Sequence, residues 1–576
     1  MAADASEVAA SLPYHEPGIE TLLILVSFLL LLNVVNAALD RLLYCGLLGQ
    51  VLIGIAWGTP GAKWLPTEVE EVIVQLGYLG LILLVYEGGL HTSFQSLKAN
   101  LLLSSGVAIT GICVPIGLSY TLQGLLDATP LQAFAAGAAL CSTSLGTTFT
   151  VLGSSGLSSS RLGVVLTSAA MMDDVVGLVM VQVISNLGAA NFNAVTVLRP
   201  VLVSIAFAVV VPIACLFIVK PCTLWLNRHR ESHPAAPLNQ LLCKKHIAFT
   251  IHTVLLVALI TGATYAGTSN LFAAYIAGAS ISWWDSEVPH TDTSPGAQET
   301  TEAVAIPSNE PSGATEGSSK NKDADASGVL DGSVHPTRIT NTVNGMDNSS
   351  GVAIYEHYYL QVVSKMLQPL FFASIGFSIP ITRMFRGAIV WRGIVYTILM
   401  AFAKVVCGLW LVRLTIAPTN TVRRVVHGLK LPAVPHLWGR SKVQATHTTA
   451  ERATTEAEAV PSATASIHER RSSPNPPKPL SIHPPLILAL AMCARGEIGF
   501  LISGVAESTG VFSPSGVTSS EPSDIFLVVT WAIVLCTSVG PLGVGLSVRR
   551  VRKLQARKER EREGAGRDVL GVWGVE

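Results

Sequence analysis

Charge is what this 576-residue sequence has least of: Asp, Glu, Lys and Arg together make up 13% of it, against about 25% in an ordinary soluble domain. With 50% hydrophobic residues and a mean hydropathy of +0.50, that scarcity excludes a water-soluble surface and points to a bilayer. The 38 basic and 38 acidic residues cancel, and aromatic residues do not alternate with Lys or Arg, so the sequence carries no electrostatic footprint for nucleic acid. Cysteines are present (Cys45, Cys113, Cys141, Cys215, Cys222, Cys243, Cys407, Cys493 and Cys536) but lack metal-ligand or redox spacing, so they read as small packing residues. A phosphate-binding P-loop is missing, which argues against an ATP-driven pump. So is a TVGYG-type filter, which argues against a channel. No cofactor is expected.

What is there is a succession of apolar runs near the roughly 20 residues that cross a hydrocarbon core. They cover Ile19 to Leu39, Leu42 to Trp57, Val72 to Leu90, Leu101 to Leu122, Leu131 to Leu152, Leu162 to Ile184 and Pro200 to Val219. Ile247 to Tyr265, Leu271 to Trp284, Leu360 to Ile379, Ile389 to Val412, Pro485 to Ala506 and Ile525 to Val548 follow. The expected fold is therefore an all-α polytopic membrane protein of about 13 transmembrane helices, with the second, ninth and twelfth runs short or interrupted. The membrane domain occupies residues 19–284, 356–416 and 484–548. Two Ser-, Thr- and Pro-rich stretches, 285–355 and 417–483, read as disordered loops. Residues 1–18 hold no Lys or Arg, so the first run lacks a signal peptide's basic start and is expected to be retained as a helix. Residues 549–576 form a charged tail whose first part reads as a short helix beside the membrane.

Lys and Arg are retained on the cytoplasmic side during insertion. Loops after odd-numbered runs carry Arg41, Lys98, Arg161, Lys220, Arg228, Arg230, Lys244, Lys245 and Arg549, whereas those after even-numbered runs hold Lys63 and Arg199, with Arg383, Arg386 and Arg392 as the exception. The N-terminus is thus expected outside, with the C-terminus and both insertions inside. The sequon at Asn348 should then stay unmodified.

Asp173 and Asp174 stand together in the middle of the sixth run. An Asp at mid-membrane costs about 2.5 to 3.5 kcal/mol, so the two need a partner, a proton, a cation or water. Neighbours on a helix turn about 100° apart, which sends one carboxylate to a cavity and the other to a partner helix. The alternative, a pair capping a helix near the interface, requires the run to be misplaced. Lys404, mid-way along the eleventh run, is the economical counter-charge, the alternative being a lysine snorkelling to the headgroups.

In the fifth run, Ser142, Thr143, Ser144, Gly146, Thr147 and Thr148 cluster at mid-membrane. Such a stretch unwinds readily, its hydroxyls satisfying freed backbone groups, although ordinary small-residue helix packing gives the same composition. In the twelfth run Arg495, Gly496, Glu497 and Gly499 interrupt an apolar stretch. Arg495 and Glu497 either compensate the dipole ends of two broken helices or pair with each other near the cytoplasmic mouth. Runs four to six and eleven to thirteen thus each hold a broken middle helix, and an odd number of helices separates the triplets, as in an inverted repeat.

Together, "MMDDVVG", the Ser/Thr/Gly break one helix earlier, "PLFFASIGFSI" from Pro369 to Ile379, Lys404 and "CARGEIGFLI" resemble the second branch of the monovalent cation:proton antiporter superfamily, the sodium/hydrogen exchanger domain. "LVYEGGL" around Glu87 and the Ser-rich insertions look like a fungal member. The resemblance implies an inverted-repeat antiporter fold with two crossed broken helices in a six-helix core, an elevator-like movement and a homodimer. Carried onto this sequence, Asp174 binds the cation and proton, Asp173 pairs with Lys404, Thr143, Ser144, Gly146 and Thr147 line the first broken helix, and Arg495, Gly496 and Glu497 mark the second. Members with two aspartates are often electrogenic.

The expected function is exchange of Na⁺, K⁺ or Li⁺ for protons by alternating access, with Asp174 as the shared site and no enzymatic activity. The rivals are a proton-coupled or pH-gated cation channel and a transporter-like sensor. An intramembrane aspartyl protease is disfavoured because adjacent aspartates on one helix cannot face one water across a gap.

Overall fold

A computed structural model describes residues 16–43, 45–92, 100–144, 160–188, 194–232, 245–287, 350–412, 482–513 and 522–561, together with isolated positions that include Leu570 and Trp573. Among these residues the fold is all-α. In chain order the helices are α1 (Ile19–Leu43), α2 (Leu47–Trp57), α3 (Thr67–Leu90), α4 (Leu101–Ser119), α5 (Pro130–Ala139), α6 (Arg161–Leu187) and α7 (Ala194–Ala214). Then come α8 (Lys245–Ala266), α9 (Asn270–Glu287), α10 (Gly351–Tyr358), α11 (Gln368–Phe377), α12 (Gly387–Val405), α13 (His483–Ala491), α14 (Glu497–Ser508) and α15 (Asp524–Glu561). π-Helical turns at Cys215–Val219 and Val363–Leu367 lead into the helical segment Lys220–Ser232 and into α11, and a 3₁₀ turn, Val406–Leu411, extends α12.

Nine helical spans among the described residues are long and apolar enough to cross a membrane. The runs that hydropathy marks but that fall outside those nine are α2, the fifth run beginning at α5, α9, and the twelfth run, which is split into α13 and α14. Asn348 and most of both insertions lie outside the described residues. Helix reaches past the edges that composition suggests for the first insertion, because Asp285 Oδ2 accepts the Gly351 N–H at 2.7 Å and Lys220 pairs with Glu287 at 3.1 Å. The Asp285–Gly351 contact brings the two ends of the insertion to one place on the protein. The charged tail likewise begins as the uninterrupted continuation of α15 rather than as a separate helix.

Two sets of helices pack within themselves. In one, α3 lies along α9 and α11, with α1, α2 and α8 around them; in the other, α4, α5 and α6 pack against α12, α13, α14 and α15. Apolar side chains along α1, α7 and the π-helical turn after it, such as Leu23, Leu202, Val210 and Phe217, stay exposed. That pattern suits contact with lipid, whose tails are as apolar as they are. The protein is a multi-pass integral membrane protein, and its charged side chains at depth gather where α5, α6, α12 and α14 meet.

Candidate cation site

Each side chain of the site is positioned by a helix that starts or stops for an identifiable reason. α6 opens on Ser160, whose hydroxyl accepts the Gly163 N–H at 3.1 Å, an N-cap. It then runs without interruption past Asp173 and Asp174. α5 opens on a capping box between Thr129 and Gln132 with Pro130 in the first turn, and stops at Ala139. Residues 140–144 then continue without helix, and the rest of that break, with Gly146 and Thr147, lies outside the described residues. α13 ends at Ala491 and α14 begins at Glu497, so the twelfth run is broken over residues 492–496.

The two interruptions touch. The Ser144 N–H donates to Ala494 O at 3.0 Å, and Arg495 Nη1 donates to Ser142 O at 3.0 Å and to Cys141 O at 3.4 Å. A Cβ on Gly496 would stand 2.6 Å from that of Ser144, so only glycine admits this approach. A helix end leaves carbonyls without partners and carries about half a negative charge. Here Arg495 and Lys404 both donate to the carbonyls just past α5, while Glu497 occupies the first turn of α14, the positive end of that helix. Among the described residues no ion pair joins Arg495 to Glu497. Arg495 thus meets the carbonyls that follow α5, and Glu497 stands at the start of α14.

Asp173 and Asp174 point apart, as helical spacing requires. Asp173 Oδ2 accepts from Lys404 Nζ at 2.7 Å and from Thr143 Oγ1 at 3.0 Å. Lys404 completes its set with Cys141 O at 2.6 Å and Thr143 Oγ1 at 3.0 Å, and both charged side chains are wholly buried. Gly111 of α4 closes over the pair: a Cβ there would lie 3.0 Å from Lys404 Nζ and 3.2 Å from Asp173 Oδ2. Asp174 turns elsewhere, its Oδ1 accepting from Ser142 Oγ at 3.0 Å, and Ser144 Oγ donates to Glu497 Oε2 at 3.3 Å.

The structure thus brings together Asp173, Asp174, Lys404, Thr143, Ser144, Arg495, Gly496 and Glu497. Sequence reasoning did not reach Gly111, the Cys141 carbonyl, or Thr537, whose hydroxyl bonds Arg495 O. None of these departs from its surroundings in residue type. Chemically, the arrangement offers a carboxylate with a neutral hydroxyl donor beside a second carboxylate already neutralised by lysine. Such a site can take up either a proton or a small cation.

Comparison with known proteins bears on this geometry. A family model for the membrane domain of sodium/hydrogen exchangers matches residues 24–305. The chain is similar to the Na(+)/H(+)-K(+) antiporter GerN of Bacillus cereus, at 30% identity over 152 residues, which is 26% of this chain and 39% of that protein. It is similar also to the high-affinity Na(+)/H(+) antiporter NhaS3 of Synechocystis, at 32% over 140 residues (24% and 30% of the two chains). Cation/H(+) antiporter 18 of Arabidopsis thaliana matches at 26% over 243 residues, or 41% of this chain and 28% of that one. The matched stretches span between 28% and 39% of these curated relatives' own length. The sodium proton antiporter MjNhaP1 of Methanocaldococcus jannaschii shares the fold, with a TM-score of 0.52 at 12% identity over 92% of this chain and 99% of that structure. Over residues 24–305 the chain carries the sodium/hydrogen exchanger domain, and the curated relatives it resembles are monovalent cation:proton antiporters.

Proposed function

We propose that the protein is a secondary antiporter that exchanges a monovalent cation, Na⁺, K⁺ or Li⁺, for protons by alternating access, with Asp174 as the site both share. The observation that carries this reading is the division of labour between adjacent carboxylates. Asp173 is neutralised by Lys404 at 2.7 Å, whereas Asp174 receives a hydroxyl from Ser142. A carboxylate at membrane depth with only a neutral donor must hold a proton or a cation to be tolerated. Taking one or the other, and never both, enforces exchange.

In this mechanism Lys404 and Thr143 hold Asp173 as a fixed negative charge and so set the rotation of α6 that aims Asp174 at the break. The Ser142 and Ser144 hydroxyls supply oxygen to a partly dehydrated ion, and Arg495 and Glu497 hold the two interruptions in register. The two triplets of helices form an inverted repeat with crossed broken helices, and the core moves against the α1–α3, α8, α9 and α11 set. The N-terminus lies outside, the C-terminus lies in the cytoplasm, and the protein acts as a homodimer.

Proteoliposomes test the reading. Na⁺, K⁺ or Li⁺ added to one side should drive proton movement in the wild type and none in Asp174→Asn. Exchange at the wild-type rate in the variant would overturn the site, and binding without flux in the wild type would favour a sensor.

A further inference from the structure

The non-helical residues after α5 sort the buried charges into two groups. Thr143 serves Asp173 and Lys404. Ser142 and Ser144, one position to either side, serve Asp174 at 3.0 Å and Glu497 at 3.3 Å. Thr143 and its two neighbours thus face opposite ways, and the break separates a lysine-carboxylate pair from two carboxylates. Exposure follows the same division. Asp173, Lys404 and Arg495 have none, whereas Asp174 keeps 5% and Glu497 keeps 8%.

On that side two carboxylates are held by serines two residues apart in the same break, Asp174 by Ser142 and Glu497 by Ser144. Among the described residues neither has an ion-pair partner. Like charges held together at low dielectric repel strongly, and a cation between them reverses that cost. Glu497 therefore has a use that compensation of the α14 dipole leaves unspent.

We infer that Glu497 is a second ligand of the transported cation, so that Asp174 and Glu497, with the Ser142 and Ser144 hydroxyls, form one oxygen cage that prefers Na⁺ and Li⁺ to K⁺. The preference follows from Coulomb's law: two full negative charges favour the ion that approaches them most closely, and the gain over one charge exceeds the extra cost of dehydrating a smaller ion. This inference rests on Asp174 being the exchange site.

The test is cation-driven proton flux in proteoliposomes with Na⁺, Li⁺ and K⁺ in turn, at one pH, for wild type, Glu497→Gln, Glu497→Asp and Ser144→Ala. Glu497→Gln should raise half-saturating Na⁺ and Li⁺ about tenfold and move K⁺ much less. Glu497→Asp should recover part of the preference. Ser144→Ala keeps the charge and should shift Na⁺ in the same direction by about threefold, which keeps the test open if Glu497→Gln fails to fold. Wild-type half-saturation and selectivity in these variants overturns the inference. So does an equal loss for all three cations, the mark of a residue that only holds α14 in place. Asp174→Asn run in parallel separates the two levels. Exchange surviving there removes the site itself, whereas its loss beside wild-type selectivity in Glu497→Gln removes Glu497 alone.

Discussion

Lys404 Nζ lies 2.7 Å from Asp173 Oδ2, and neither side chain touches solvent. Removing one partner of a buried pair strands the other, at a cost of about 3 to 5 kcal/mol, whereas replacing both is far milder. Lys404→Ala should therefore lower stability steeply in detergent, and Asp173→Asn combined with Lys404→Met should recover most of the loss. Thermal unfolding of the two variants side by side checks this.

Gly111 gives a second prediction. An added methyl would press on both charged atoms of the pair, at 3.0 and 3.2 Å, and overpacking of this kind costs about 1 to 3 kcal/mol. Gly111→Ala should be measurably less stable than wild type, and Gly117→Ala, on the same helix with open space around it, should not. Equal stability of the two variants would show that α4 yields without cost.

Leu570 and Trp573 pack against the start of the helix that carries the aspartates. The Trp573 ring lies 5.2 Å from the Arg161 guanidinium, and Leu570 is buried beside Leu103, Leu162, Val548 and Val551. Arg161 stands at the positive end of α6, where a cation is unfavourable, and the ring offsets that. Trp573→Ala should cost about 0.5 to 1 kcal/mol and make the tail easier to cleave, measured by limited proteolysis.

Under the exchange proposed for Asp174, the direction of the pH dependence is fixed. Lowering the pH protonates the site, so half-saturating Na⁺ must rise as pH falls and fall as pH rises. The slope approaches about tenfold per pH unit where the protonated form dominates. Initial exchange rates against Na⁺ at several pH values measure it, and a half-saturation independent of pH would show that proton and cation do not compete.

What the sequence discloses and what it hides divide along a physical line. Asp173, Asp174 and Lys404 are legible because a charge in an apolar run is too costly to be incidental, and helical geometry alone separates the two carboxylates. Gly496 is legible as a break. Gly111 looks like any small residue of a membrane helix, and the Cys141 carbonyl that both Lys404 and Arg495 reach belongs to a residue whose side chain says nothing of it. Both are set by contacts between segments far apart in the chain. Hydropathy marks where apolar runs stop, but α15 continues to Glu561 because helix persists after hydrophobicity ends.

The most direct test of a shared site is proton release on cation binding to the purified protein, followed by calorimetry in buffers of different ionisation enthalpy. Na⁺ should displace protons from the wild type near the pH at which Asp174 is protonated, and Asp174→Asn should neither bind Na⁺ tightly nor release a proton. Na⁺ binding without proton release in the wild type, or undiminished release in Asp174→Asn, would contradict exchange at Asp174.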